Sequence, residues 1–209
     1  MGYLTTEHHK AGYAADFVLY GGAALGLSLL LVLAGPPARR PELLALALVG
    51  LFAWTLVEYG LHRFVLHGPQ PFRGWHEEHH RRPRALIGTP TVLSATLIAA
   101  LVFMPAVVFG DLWRACALTL GLLTGYFLYS VMHHAIHHWR PGNAWTRRAR
   151  RWHALHHSPV EPAGRYGVSS GLWDVVFGTA GRRAPRARDA SVQLDAWENE
   201  GGAPGPRAA

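Results

Sequence analysis

Histidine is the residue in excess. The 209-residue chain carries 14 of them, and all but His8 and His9 fall in two segments, 62–80 and 133–157. They form four groups: His62-x4-His67 (HRFVLH), His76-x2-His79-His80 (HEEHH), His133-x3-His137 within HHAIHH, and His153-x2-His156-His157 (HALHH). Residues three and four apart share one face of a helix, so His76, His79 and His80 predict a three-nitrogen patch that His153, His156 and His157 repeat. Clustered imidazoles repel one another when charged and leave nitrogens unpaired when buried. A metal cation held by neutral rings removes both difficulties. His62, His67, His76, His79, His80, His133, His137, His153, His156 and His157 are therefore the candidate ligands. They are too many for one ion, since zinc takes four ligands and octahedral iron six. Two ions, each with four or five imidazoles and a position left open, fit the arithmetic. Imidazole suits iron, zinc, copper and nickel, and residue type alone does not choose among them.

Other chemistries fit less well. HEEHH also satisfies the H-E-x-x-H pattern of zinc metalloproteases through His76, Glu77 and His80, but that reading leaves the other histidine groups without a task. Cys116 is the single cysteine, which excludes an intrachain disulfide and a thiolate metal site. The net charge of +7 comes almost wholly from arginine; it suits anionic headgroups, and no aromatic-interleaved basic pattern asks for nucleic acid.

The elements that must position these histidines are apolar. Four blocks, about 17–34, 43–61, 91–110 and 112–132, each approach the roughly 20 residues a helix needs to cross a bilayer. None alternates as a barrel strand would. Asp111 alone separates the third and fourth blocks. Four spans put both termini on one side, and both histidine segments fall there with them. Arg63, Arg73, Arg81, Arg82 and Arg84, with further arginines after 133, place that side in the cytoplasm by the positive-inside rule. No span carries a histidine at its middle, which argues against a metal transporter. Gly22 and Gly26 form a small-xxx-small pair that either marks a close helix contact or reflects the glycine content of membrane helices. The expected organisation is an N-terminal cytoplasmic segment (1–16), a membrane domain (17–180) and a disordered tail rich in Gly, Pro, Ala and charge (181–209). The fold class is all-α: four transmembrane helices with a cytoplasmic, histidine-rich helical cap holding a di-metal site.

The joint pattern of boxes, over about 45–180, resembles the integral-membrane fatty acid hydroxylase/sterol desaturase superfamily. His62 and His67 stand at its first box, His76, His79 and His80 at its second, His133 and His137 in a tyrosine-led box that begins at Tyr129, and His153, His156 and His157 at its last. Glu58-Tyr59, Gly88-Thr89-Pro90 and GLWDVVFGT (171–179) are similar to further family segments. The likeness is greatest to the fatty acid 2-hydroxylase branch, although Ser130 stands where that branch often has Asp and His134 where it often has Tyr.

The resemblance implies a non-haem di-iron oxygenase that hydroxylates a lipid acyl chain. Carotenoid or sterol hydroxylation and lipid desaturation are alternatives on the same scaffold. It implies two iron ions as cofactor, with zinc able to occupy the same ligands in purified material, and no bound organic cofactor. O2 and a lipid acyl chain would be the substrates. The short segment before the first span leads to the expectation of a separate electron donor, such as ferredoxin or cytochrome b5 with its reductase. Among supporting residues, Glu58 lies one turn before His62 and is a candidate acceptor for its second nitrogen; a salt bridge to Arg63 is the plainer alternative. Asp174 is expected to hold a histidine tautomer or cap a short helix, a structural role in the 171–179 segment being favoured, and His134 and His138 are expected to face away from the His133/His137 pair. Trp75, Trp139, Trp152 and Trp173 suit interface anchoring.

Overall fold

The computed structural model describes residues 9–140, 142–158 and 164–181. His8 and, Gly181 apart, the 181–209 segment expected to be disordered lie outside the described residues. Within them the chain is helical, with no strand. The helices are α1 (Lys10–Leu33), α2 (Arg40–Gly60), α3 (Phe72–Arg81), α4 (Thr91–Ile98), α5 (Met104–Phe109), α6 (Leu112–His138), α7 (Ala144–His156) and α8 (Leu172–Val176). Wider π-helical turns extend α2 through Leu61–Leu66 and join α4 to α5 through Ala99–Phe103. Four stretches are long and apolar enough to cross a membrane: Lys10–Leu33, Pro37–Leu66, Thr91–Phe109 and Leu112–His138. The first starts before the expected residue 17, because hydropathy marks the apolar block and not the helix that carries it. The polar first turns of α1 are retained, with the Asp16 carboxylate accepting the Thr91 hydroxyl.

The chain divides into two compact units. The first comprises residues 1–57 and 88–130. Its contact between α2 and α6 depends on glycine. A Cβ on Gly121 would lie 1.9 Å from the Ala47 carbonyl oxygen, and one on Gly50 would lie 2.3 Å from that of Leu118. Backbone therefore meets backbone, as in close membrane helix pairs. The Gly22/Gly26 pair makes no such contact: a Cβ at either meets nothing within 4 Å. Leu31, Leu43, Cys116 and Ala117 form the buried apolar core. Tyr20 hydrogen-bonds Ser94 at 2.6 Å and packs edge-on against Tyr126, whose ring also meets Trp54. Elsewhere in the unit Arg39 bonds Glu42 (3.0 Å) and Asp111 (2.8 Å), while Asp111 accepts the backbone N–H of Trp113 and Arg114. One residue thus both caps α6 and closes the short connection before it. Large apolar side chains face outward along these helices, among them Leu33, Val92 and Phe109.

The second unit comprises residues 58–87 and 131–209. Its described elements are the end of α2 with its π-helical turn, α3, the last turns of α6, α7 and α8. Asn143 starts α7 through a capping box with Thr146. This unit contains all ten candidate ligands.

Candidate metal centre

The first histidine pair shows why local geometry matters. On an α-helix, residues five apart point about 140° away from each other, at roughly 100° per residue. His62 and His67 would then diverge. Instead α2 loosens into a π-helical turn over Leu61–Leu66, with the His67 N–H bonded to the His62 carbonyl at 3.2 Å, and the two ring centroids come within 5.3 Å. Such turns recur at functional sites.

The ten imidazoles collect into two nitrogen groups. His62, His67, His76, His80 and His156 form one; His79, His133, His137 and His153 form the other, with each set's ligand atoms all within 4.8 Å of one another. His157 joins the second group through its Nε2, 3.0 Å from that of His153. The division repeats itself. The first group takes the pair at the end of α2, His76 and His80 from α3, and His156 from α7. The second takes the pair at the end of α6, His153 from α7 with His157 at the C-terminal cap of that helix, and His79 from α3. The three-nitrogen patches expected on α3 and α7 are therefore split, because adjacent residues on a helix differ by about 100° and the groups flank each helix. His80 and His157 stack between them, centroids 4.1 Å apart and rings 10° from parallel.

Within each group the Nε2 atoms face one another: 2.9 Å for His62–His76, 3.0 Å for His76–His80 and 3.2 Å for His67–His156 in the first. In the second they are 3.1 Å for His133–His137 and 2.9 Å for His137–His153. Two nitrogens about 2.1 Å from one ion and at right angles around it would be about 3.0 Å apart, against about 3.4 Å in a tetrahedral site. The rings are also held neutral. Burial pushes His80 down to about 3, assisted by neighbouring His67 and His133. Burial likewise holds His76, His79, His153, His156 and His157 well below the usual imidazole range, with neighbouring imidazoles adding to it.

Tautomers follow from the outer nitrogens. His62 Nδ1 meets the carbonyl oxygen of Tyr166, and His156 Nδ1 meets that of Gly164 at 2.7 Å. A carbonyl only accepts, so in both neutral rings the proton is on Nδ1 and the Nε2 lone pair points into the group. Neither nitrogen of buried His79 has a hydrogen-bond partner among the described residues. Converging neutral lone pairs and a buried imidazole without partners are what a bound cation would satisfy. The donor set fits a metal.

Glu58 and Asp174 hold backbone and not a ligand histidine. His62 has both nitrogens engaged without Glu58, so Glu58 does not orient it directly. Glu58 accepts the backbone N–H groups of Val168 (2.6 Å) and Ser169 (2.8 Å) and the Ser169 hydroxyl, while Arg63 donates to the Tyr59 hydroxyl at 2.6 Å. Asp174 is fully buried and accepts the N–H groups of Tyr166 and Gly167, both at 2.8 Å, and the Thr179 hydroxyl. It contacts the loop, not a histidine. His134 and His138 stack on each other, centroids 4.5 Å apart, outside both nitrogen groups. Glu77 and Glu78 pair with Arg73 and with Arg81 and Arg82, so Glu77 of the metalloprotease pattern is engaged at the surface. Trp139 is exposed, whereas Trp152 donates its indole N–H to Gly167. The carbonyls of Gly164 and Tyr166 escaped the sequence reading, because every backbone offers carbonyls and none is marked by residue type.

The family model for fatty acid hydroxylases matches residues 47–179, well over half of the chain and including all ten ligand candidates. The chain belongs to the fatty acid hydroxylase family. The dihydroceramide fatty acyl 2-hydroxylase FAH1 of Arabidopsis thaliana is 35% identical over 158 residues, covering 70% of this chain and 65% of the relative. The fatty acid 2-hydroxylase of Rattus norvegicus is 30% identical, covering 65% of this chain and 39% of its own length. A solved structure of full-length Scs7p, in which only the hydroxylase domain is visible, superposes with a TM-score of 0.61 at 26% identity, over 87% of this chain and 70% of that one. This chain thus spans less than two thirds of the length of these curated relatives.

Proposed function

We propose that this chain is a di-iron oxygenase that hydroxylates a lipid acyl chain, using O2 and electrons from a separate donor. The observation that carries it is the pair of all-imidazole groups, five nitrogens each when His157 is included. Five imidazoles exceed the four ligands of a structural zinc site, and the near-right-angle nitrogen spacing suits the higher coordination that iron accepts. Held by His62, His67, His76, His80 and His156, and by His79, His133, His137, His153 and His157, two irons would supply O2 activation and oxidation of an aliphatic C–H bond. The chain's own part is to keep buried rings such as His76, His79 and His153 neutral, to aim the Nε2 lone pairs of His62 and His156 inward, and to leave no carboxylate in either group among the described residues.

The relatives are named 2-hydroxylases of fatty acyl chains, which supports the carbon next to the acyl carbonyl as the target. Inserting one oxygen atom there leaves the other to be reduced to water, so electrons and protons must enter from outside. A ferredoxin, or a cytochrome b5 with its reductase, has the right chemistry for the electrons. The excess of arginine around the histidine segments supports a cytoplasmic placement, where a soluble donor can reach them.

The test is metal and product analysis of detergent-purified chain. About two irons per chain, with O2-dependent gain of one oxygen at the acyl 2-position, is the expected result. Loss of two hydrogens in place of that gain would make it a desaturase. A single zinc and no lipid oxidation would overturn the reading.

A further inference from the structure

The loop 164–169 supplies the backbone carbonyls that accept from His62 and His156, and it is held with unusual completeness. Its four consecutive N–H groups, from Tyr166 to Ser169, all donate to two buried carboxylates: Asp174 takes Tyr166 and Gly167, and Glu58 takes Val168 and Ser169. Glu58 is 3% exposed and Asp174 0%. Trp152 holds the Gly167 carbonyl, and the Arg165 N–H bonds the Thr179 carbonyl at 3.0 Å. Arg165 is buried with φ +57°, a left-handed conformation that a residue other than glycine keeps only when its surroundings enforce it. That reversal lies between the two carbonyls, Gly164 and Tyr166, that bind His156 and His62. Gly167 cannot be replaced without movement, since a Cβ there would lie 1.9 Å from the Ser170 carbonyl oxygen and 3.0 Å from Asp174.

Both histidines so anchored belong to the first nitrogen group. In the second group, buried His79 and His153 have no hydrogen-bond partner for Nδ1 among the described residues. We infer that Glu58 and Asp174 are positioning residues for one metal site of the two: they clamp the 164–169 loop so that its carbonyls fix the tautomer and direction of His62 and His156. This inference rests on the metal-centre reading above and adds that the two sites are unequally supported. Charge-assisted bonds from backbone amides make the clamp stiff, and a stiff acceptor holds a ligand ring better than solvent does.

The experiment is titration of the metal-free, full-length chain in detergent with Zn2+ against a competing chelator. Wild type should show two tight sites. Asp174→Asn, which turns an N–H toward a loop N–H, and Glu58→Leu should each weaken one site about 10- to 100-fold and leave the other unchanged. Glu58→Gln keeps an oxygen for both amides and should restore near-wild-type binding, which a bulk effect of lost charge would not allow. The weakened site is identified in two backgrounds. With His133→Ala/His137→Ala, which leaves the second group three imidazoles, the remaining tight ion should be the weakened one; with His76→Ala/His80→Ala, which leaves the first group three, the remaining tight ion should bind as in wild type. If Glu58→Leu does not fold, Ser169→Ala removes one donor to Glu58 and should weaken the same site by a smaller factor. Wild-type affinity at both sites in Asp174→Asn, or equal weakening of both, would overturn the inference. A wild-type chain that binds no ion would instead overturn the metal-centre reading itself.

Discussion

His79 and His80 are neighbours in the chain and belong to different nitrogen groups. His79 faces His133, His137 and His157, with ring centroids 4.8 to 5.0 Å away, whereas His80 places its Nε2 3.0 Å from that of His76. Single alanine substitutions at the two positions should therefore weaken different ions. Each variant should hold one of its two metals less tightly than wild type does, and His79→Ala/His80→Ala both, as read by mass spectrometry of the purified protein after dialysis against a chelator. Identical losses in the two single variants, not compounded in the double, would mean one shared site.

His133 and His134 give the opposite contrast. His133 Nε2 lies in the second group, while His134 stacks on His138 and meets Trp139. His133→Ala should lower turnover sharply and weaken one ion. His134→Ala should keep both ions and at least about half of the wild-type turnover, since a partly exposed stacked pair contributes little beyond local packing. Loss of metal from His134→Ala would show that the stacked pair supports the ligands.

Acid should unfold the metal-free chain. An unfolded histidine takes up its proton near pH 6.5, whereas folded His80 is pushed down to about 3 and several buried neighbours are shifted the same way. As pH falls through the unfolded value, the unfolded chain gains protons that the folded chain refuses, so stability is fully present above about pH 7 and declines below it. The melting temperature in detergent should drop steadily from about pH 7.5 to about pH 5. Metal should raise the curve at neutral pH and be displaced as protons compete for the same nitrogens. A flat profile in the metal-free chain would show that these rings are not buried neutral.

The α2–α6 contact makes a prediction about stability alone. Gly121→Ala would drive a Cβ into the Ala47 carbonyl, where backbone and not a flexible side chain must yield. It should destabilise the chain by about 1–3 kcal/mol, the usual range for overpacking. Gly22→Ala meets open space and should be neutral or slightly stabilising, because alanine favours helix. Thermal unfolding of the two variants side by side would test this; equal melting temperatures would mean the close approach is relaxed without cost.

Much of this protein is local in origin. Hydrophobic length marks four helices because a helix satisfies its own backbone, and any segment of sufficient apolar length can adopt one in a bilayer. The histidine boxes were legible for the same reason: rings three and four apart meet on any helix, so the ten ligand candidates follow from spacing. How those rings divide between two sites does not. His76, His79 and His80 look like one patch until α3 lies between two groups that approach from different sides, and His62 and His67 share a site only because α2 loosens into a π-helical turn. The partners of the outer nitrogens were least legible. His62 and the Tyr166 carbonyl are 104 positions apart, and Glu58 and Val168 are 110 apart. Residue spacing supplies the inventory of candidate ligands and the helices that carry it, because both depend on short-range periodicity. Tertiary packing alone brings the nitrogens into two groups and gives two buried carboxylates a loop instead of a histidine, because long-range hydrogen bonds leave no trace in residue spacing.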